Sequence, residues 1–333
     1  MLTDERPGPG AVPTQDGRTT TAAAPPDRRL LRRQRRSRWD VKLSPYLYIS
    51  PFFVLFGLVG LFPLLYTAFL SVHDWDKIYR QRGDFSGLEN FDFVVNDPIF
   101  QKALVNTFSI FLMSSVPQIV VAVAIAALLD NQLRGSTFWR MSVLLPFVVA
   151  PAAAALIFGS LFADQSGLIN SVLREIGLEP IRWHVDRLWS HFAISGMVNW
   201  RWTGYNTLIF LAAMQAIPRD LYESAALDGA SRLRQFWSVT LPLIRPTMIF
   251  VVVTSTIGGL QIFTEPRLFD DSMSREGGAD HQYMTMALYI YDRGIVDGFY
   301  GRASAAACLL FLIIVAIALL NFALTRFFTR RTA

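Results

Sequence analysis

The chain has 333 residues, 52% of them hydrophobic and 17% charged, with a formal net charge of +5. Soluble domains carry about 25% charged residues, so this deficit, with a mean hydropathy of +0.34, excludes an ordinary soluble domain and points to lipid. The positive charge lies mostly in the termini, which reads as membrane topology and not as a nucleic-acid surface; Cys308 stands alone and His73, His184, His191 and His281 are scattered, which excludes an intrachain disulfide and the usual metal-ligand spacings.

Residues 1–40 are rich in Pro, Thr, Ala and Arg and lack apolar periodicity. They read as a disordered basic tail. The tail ends in Arg28, Arg29, Arg32, Arg33, Arg35, Arg36 and Arg38, a topogenic cluster suited to anionic headgroups. Residues 41–330 then read as an all-α, polytopic membrane domain. Six segments approach the roughly 20 apolar residues that a spanning helix needs: about 46–72, 103–129, 141–163, 191–216, 246–265 and 303–325. The fourth is the least apolar. Pro51, Pro63, Pro117, Pro146 and Pro151 fall inside the first three, which neighbouring helices can accommodate. With the Arg-rich tail inside, the short loops around Leu133–Arg140 and Pro218–Arg245 also lie inside, as do Arg326, Arg330 and Arg331. Both termini are then cytoplasmic in a prokaryotic cell membrane.

The loop at about 218–245 is polar, charged and helix-prone, too polar to insert between its flanking spans. Ala225, Ala226 and Leu227 favour helix. Asp228-Gly229 is a stop signal, and Ser231 is placed to cap a second short helix. Pro242 either stops that helix or opens the next span. Glu223, Ser224, Ala225, Gly229, Val239, Leu241 and Pro242 fall at the spacing Glu-Ala-Ala, three residues, Gly, nine residues, Ile, any residue, Leu-Pro, with Ser224 and Val239 as mild replacements. This resembles the loop of permease subunits of binding-protein-dependent ABC importers, in particular the carbohydrate branch similar to the maltose-type F permease. Asn106-Thr107, Leu145-Pro146, Gly167 to Asn170 and Gly301 to Ala307 look like the same family. The similarity covers about residues 44–328.

The resemblance implies a set of partners: a second homologous permease as heterodimer, a dimer of ATP-binding subunits, an extracytoplasmic solute-binding protein, and membrane lipid. It implies that Glu223, Ala225, Ala226, Asp228, Gly229, Leu241 and Pro242 belong to a coupling helix seated on the ATPase. ATP and Mg would sit on that partner. This chain has no Gly-Lys-Ser/Thr loop of its own, its lysines being Lys42, Lys77 and Lys102, and no catalytic constellation, bound cofactor or metal is expected. The implied substrate is a di- or oligosaccharide, with cellobiose or a related glucoside as the first guess and a polyol or glycerol phosphate ester as the alternative outside that class.

Polar groups within a span are costly unless they face a cavity or a partner. Asn199, Trp200, Trp202, Tyr205 and Asn206 in the fourth segment, and Ser255, Gln261 and Glu265 in the fifth, are the candidate substrate path. Aromatic rings stack on the apolar face of a pyranose and amides bond its hydroxyls. The aromatics equally suit an interfacial belt, and Arg201 a snorkelling site. A secondary sugar transporter or channel independent of an ATPase is the rival; inverted repeats with broken helices would mark it, and the sequence shows none.

Overall fold

The computed structural model describes residues 28–76, 83–131, 135–270 and 277–330. The tail before Arg28 and the arginine side chains of the basic run lie outside what is described. The chain forms two compact units, Met1–Phe62 and Pro63–Ala333. The first holds α1 (Arg28–Leu55), continued by a π-helical stretch, Phe56–Leu61. The helix thus begins inside the basic run, where an irregular tail up to residue 40 is expected from composition.

The second unit continues as α2 (Phe62–Ser71), α3 (Glu89–Asn96) and α4 (Pro98–Leu129). Asp97 caps α4 by accepting from Ile99 N at 2.9 Å, with Pro98 at the first helical position. Next come α5 (Ser136–Val148), α6 (Pro151–Leu161), α7 (Leu168–Glu175) and α8 (Arg187–Gln215). Beyond them lie α9 (Arg219–Leu227), α10 (Arg232–Gln235), α11 (Leu241–Leu243), α12 (Arg245–Leu260), α13 (Thr264–Leu268), α14 (Met286–Tyr291) and α15 (Tyr300–Arg330). Among the described residues β-structure is limited to isolated bridges, His73 to Phe85 and Asp76 to Phe299.

By length and composition, Leu43–Ser71, Pro98–Leu129, Arg245–Leu268 and Tyr300–Ala323 are able to cross a membrane. The third expected span is corrected: instead of one helix over 141–163, α5 and α6 meet at a bend of 86°. Val149 and Ala150 are extended (ψ 129° and 137°), a conformation that Pro151 favours at Ala150 directly before it. The fifth span also breaks, at Gln261 to Phe263, before α13 resumes. At 29 residues α8 is long enough to span but too polar to qualify by hydropathy, as its sequence foretells.

The bundle is organised on α4 and α8, with α5 against α8, α12 against α4 and α13 against α6. Gly204 lets α5 approach, since a Cβ there would meet the carbonyl of Val143. One apolar cluster joins Ala122, Ala126, Phe210, Met214 and Val251 near the residue-130 end of α4. Another, around Ile110, Ile194, Met197, Phe269 and Tyr283, lies toward the opposite end. There, the non-helical chain at 282–285 is buried in protein, and side chains take up carbonyls along this stretch. Asn106 Nδ2 donates to His281 O at 2.8 Å and Met284 O at 3.1 Å, and His191 Nε2 bonds Gln282 O at 2.8 Å. Irregular backbone at such depth is tolerated only when satisfied in this way.

Candidate functional site

Between α8 and α12 the polypeptide makes a short helical hairpin. Helix α9 starts after Pro218, with Asp220 in its first turn opposing the helix dipole. It ends in a Schellman arrangement: Ala230 N donates to Ala225 O at 2.9 Å and Gly229 N to Ala226 O at 3.0 Å. Gly229 takes φ +78°, which a residue without Cβ adopts freely. Ser231 then caps α10, accepting from Arg234 N at 3.4 Å. Tyr222 Oη and Thr240 Oγ1 lie 2.9 Å apart and brace the two arms, and Gln235 Nε2 donates to Ala230 O at 3.1 Å. Pro242 does not stop the helix. It sits in the first turn of α11, just after a π-helical stretch, Phe236–Thr240, in which Leu241 N reaches back to Phe236 O. Lacking an N–H itself, Pro242 leaves the register there free to shift.

The expected motif residues divide by exposure. Glu223, Ala226, Asp228 and Gly229 are exposed, Ala225 is half-buried, and Leu241 and Pro242 are half-buried against the bundle. Among the described residues the Glu223 carboxylate has no hydrogen bond or ion pair. Three large apolar side chains stand beside it in solvent: Leu227 at 90% exposure, Leu233 at 68% and Trp237 at 61%. Sequence reasoning passed over these three; the signal was an apolar residue on each arm of a loop otherwise polar. Asp130, Asn131, Arg219, Tyr222, Glu223 and Arg232 line an open cleft of about 1400 Å³ between the hairpin and the end of α4. Arg232 Nη1 reaches Asn131 Oδ1 across it at 3.5 Å.

The candidate path residues do not form one cluster. Trp202 and Tyr205 pack on Phe147 of α5, with ring centroids 5.3 and 4.7 Å away, and Trp200 packs on Phe158 of α6 at 5.4 Å. Asn206 is buried and donates to Ser255 at 3.4 Å. The Asn199 side-chain oxygen is buried without a partner. Gln261 is exposed at the break after α12. Glu265 is buried and paired with Arg201, Nη1 to Oε1 3.1 Å, so Arg201 does not snorkel. A stripe missed by the sequence reading runs along α12: Phe250, Thr254, Gly258 and Gln261 are all exposed, at the three-to-four-residue spacing of one helix face. No group of three or more His, Cys, Asp or Glu suited to a metal comes together among the described residues.

Residues 98–333 match the model of the family described as binding-protein-dependent transport system inner membrane component. The lactose transport system permease protein LacF of Rhizobium radiobacter is 36% identical over 84% of this chain and 92% of its own length. The arabinooligosaccharides transport system permease protein AraP of Halalkalibacterium halodurans is 31% identical over 87% of this chain and 90% of its own. A chain of the bacterial alginate ABC transporter, crystallised with an alginate pentasaccharide-bound periplasmic protein, superimposes with a TM-score of 0.75 at 21% identity, covering 88% of this chain and 97% of that one. The fold is shared with a solved transporter chain, and the family match and the relatives together place the chain in the family of binding-protein-dependent transport system inner membrane components.

Proposed function

We propose that this chain is one of two membrane-spanning subunits of an ATP-driven importer for a di- or oligosaccharide, with the hairpin at the cytoplasmic side as its coupling element. The observation that carries the reading is the hairpin itself. It is braced internally, yet Glu223 has no hydrogen bond or ion pair among the described residues, and Leu227, Leu233 and Trp237 stay largely exposed. Exposed apolar side chains grouped beside a charge mark a protein-binding surface. An ATPase subunit seated there would transmit its closure into α8 and α12, which leave the hairpin directly. Two relatives named for sugar transport, at 36% and 31% identity, support the substrate class. The exposed Thr254 on α12 and Gln261 just after it offer hydroxyl and amide groups to sugar hydroxyls, and Trp200 and Tyr205 on α8 expose ring area for stacking. Broken helices alone are compatible with the secondary-transporter rival, but family membership favours the ATP-driven reading. The test is uptake of labelled lactose, cellobiose and arabino-oligosaccharide into vesicles holding this chain, its permease partner, the ATPase and the binding protein. Saturable uptake of one of them that requires internal ATP is expected. Uptake driven by a sugar gradient without ATP would contradict the proposal.

A further inference from the structure

Arg201 is the central residue of the 29-residue helix α8. At 1.5 Å per residue it lies about 20 Å from either end of that helix. Its Nη1 donates to Glu265 Oε1 at 3.1 Å, and the two side chains are 7% and 8% exposed. The Nε of Arg201 is buried with no partner of its own. The guanidinium therefore depends on one carboxylate.

The position of that carboxylate is informative. Helix α12 ends at Leu260, Gln261 to Phe263 leave the helix, and Glu265 lies in the first turn of α13. Gly258-Gly259 precede the break and Pro266 follows it, unable to donate to Ile262 O, so the sequence interrupts the helix here and tertiary contacts set the geometry of the interruption. On one side Thr285 Oγ1 donates to Ile262 O at 2.8 Å. On the other, Glu265 is held by Arg201. Gln261 lies between this anchor and the end of α12, exposed at the head of the Thr254–Gly258 stripe. Replacing a buried ion pair with apolar residues is often neutral or stabilising, so stability alone does not explain charges at this depth. Intramembrane charges more commonly serve function.

We propose that Arg201 and Glu265 are positioning residues for sugar passage: the pair locks α13 to α8 and so holds the α12–α13 break with Gln261 facing the open side. The inference rests on the sugar-importer reading for its consequence, but not for its geometry. Helix α13 keeps other contacts, including the close approach of Gly159 to the Phe269 carbonyl. Loss of the pair should therefore shift the break without unfolding the bundle.

The experiment places Gln261→Cys in a Cys308→Ala background and measures its labelling by a membrane-impermeant methanethiosulfonate, beside ATP-driven sugar uptake with Gln261 intact. Arg201→Glu, Glu265→Arg, Glu265→Gln and the reciprocal double exchange are compared at equal membrane levels. The pair predicts that each single variant changes the labelling rate about fivefold or more and lowers uptake about tenfold. The double exchange should recover both to within about threefold of the parent. Labelling within twofold of the parent in all single variants, or a double exchange no better than the singles, would overturn the proposal. Labelling decides the positioning role by itself. Absence of uptake in the parent would instead count against the importer reading.

Discussion

Gly229 shows how a single residue sets the shape of the 219–235 hairpin. A Cβ at this position meets nothing within 4 Å, so the constraint is the left-handed backbone, φ +78°, and not space. Gly229→Ala should weaken the turn by about 1 kcal/mol, equal to about fivefold faster amide exchange at Ala230. Hydrogen exchange read by mass spectrometry on the 224–231 peptide checks this; unchanged exchange would show that the Schellman turn is not limiting. Asn170 is the converse case, a side chain that matters through its bonds. Its amide donates to Asp164 O at 2.9 Å and Ile181 O at 2.8 Å, and its oxygen accepts from Ile181 N at 3.0 Å and Trp183 Nε1 at 3.2 Å. Asn170→Ala strands two buried donors at about 1–3 kcal/mol each. A fall of several degrees in the thermal midpoint, followed by tryptophan fluorescence in detergent, is the expected result. At the same end, burial pushes the Tyr289 phenol up, aided by its 2.7 Å bond to Asp97. A raised phenol favours the neutral form, so this contribution is present below the unfolded tyrosine pKa and is lost only as pH rises through the folded one.

At the scale of elements, two glycines of α8 give opposite predictions. Gly204 faces the carbonyl of Val143, whereas a Cβ at Gly196 meets nothing within 4 Å. Gly204→Ala forces α5 and α8 apart and should cost about 1–3 kcal/mol, while Gly196→Ala should be neutral or stabilising by up to about 1 kcal/mol through helix propensity. Thermal midpoints in detergent separate the two, and equal midpoints would contradict the packing argument. The breaks show what was legible at this scale. Pro151 stood in the sequence as one proline among several, yet Pro146 stays inside α5 while Pro151 opens α6. The difference lies in the extended backbone of Val149 and Ala150, which residue type alone does not specify. The α12–α13 break has a local cause in Gly258-Gly259 and Pro266, but its geometry was not legible, because Thr285 and Arg201 fix it from distant parts of the chain. The hairpin was readable for the opposite reason: its stop, its turn and its cap all act within a few residues.

At the scale of the molecule, two of the segments singled out by resemblance, Asn106-Thr107 and the one starting at Gly301, are long-range clips. Asn106 and Thr107 hold the 281–286 stretch, Thr107 Oγ1 accepting from Met286 N at 2.8 Å. Gly301 N donates to Trp75 O at 3.2 Å, and a Cβ there would strike the His73 carbonyl. The candidate path was less legible, since exposure along α12 and pairing inside α8 depend on how the helices meet. The exposed face of α12 and the hairpin that precedes it thus lie on one continuous stretch of chain, with α8 and α12 flanking the hairpin. The central claim is that the exposed hairpin receives the work of a separate ATPase. The most direct test compares binding-protein-stimulated ATP hydrolysis and sugar uptake in reconstituted vesicles carrying wild type, Glu223→Lys or Gly229→Pro. Both activities should collapse in the variants while the chain still inserts and folds. Wild-type behaviour in both variants, or uptake that persists without any ATPase, would contradict the account.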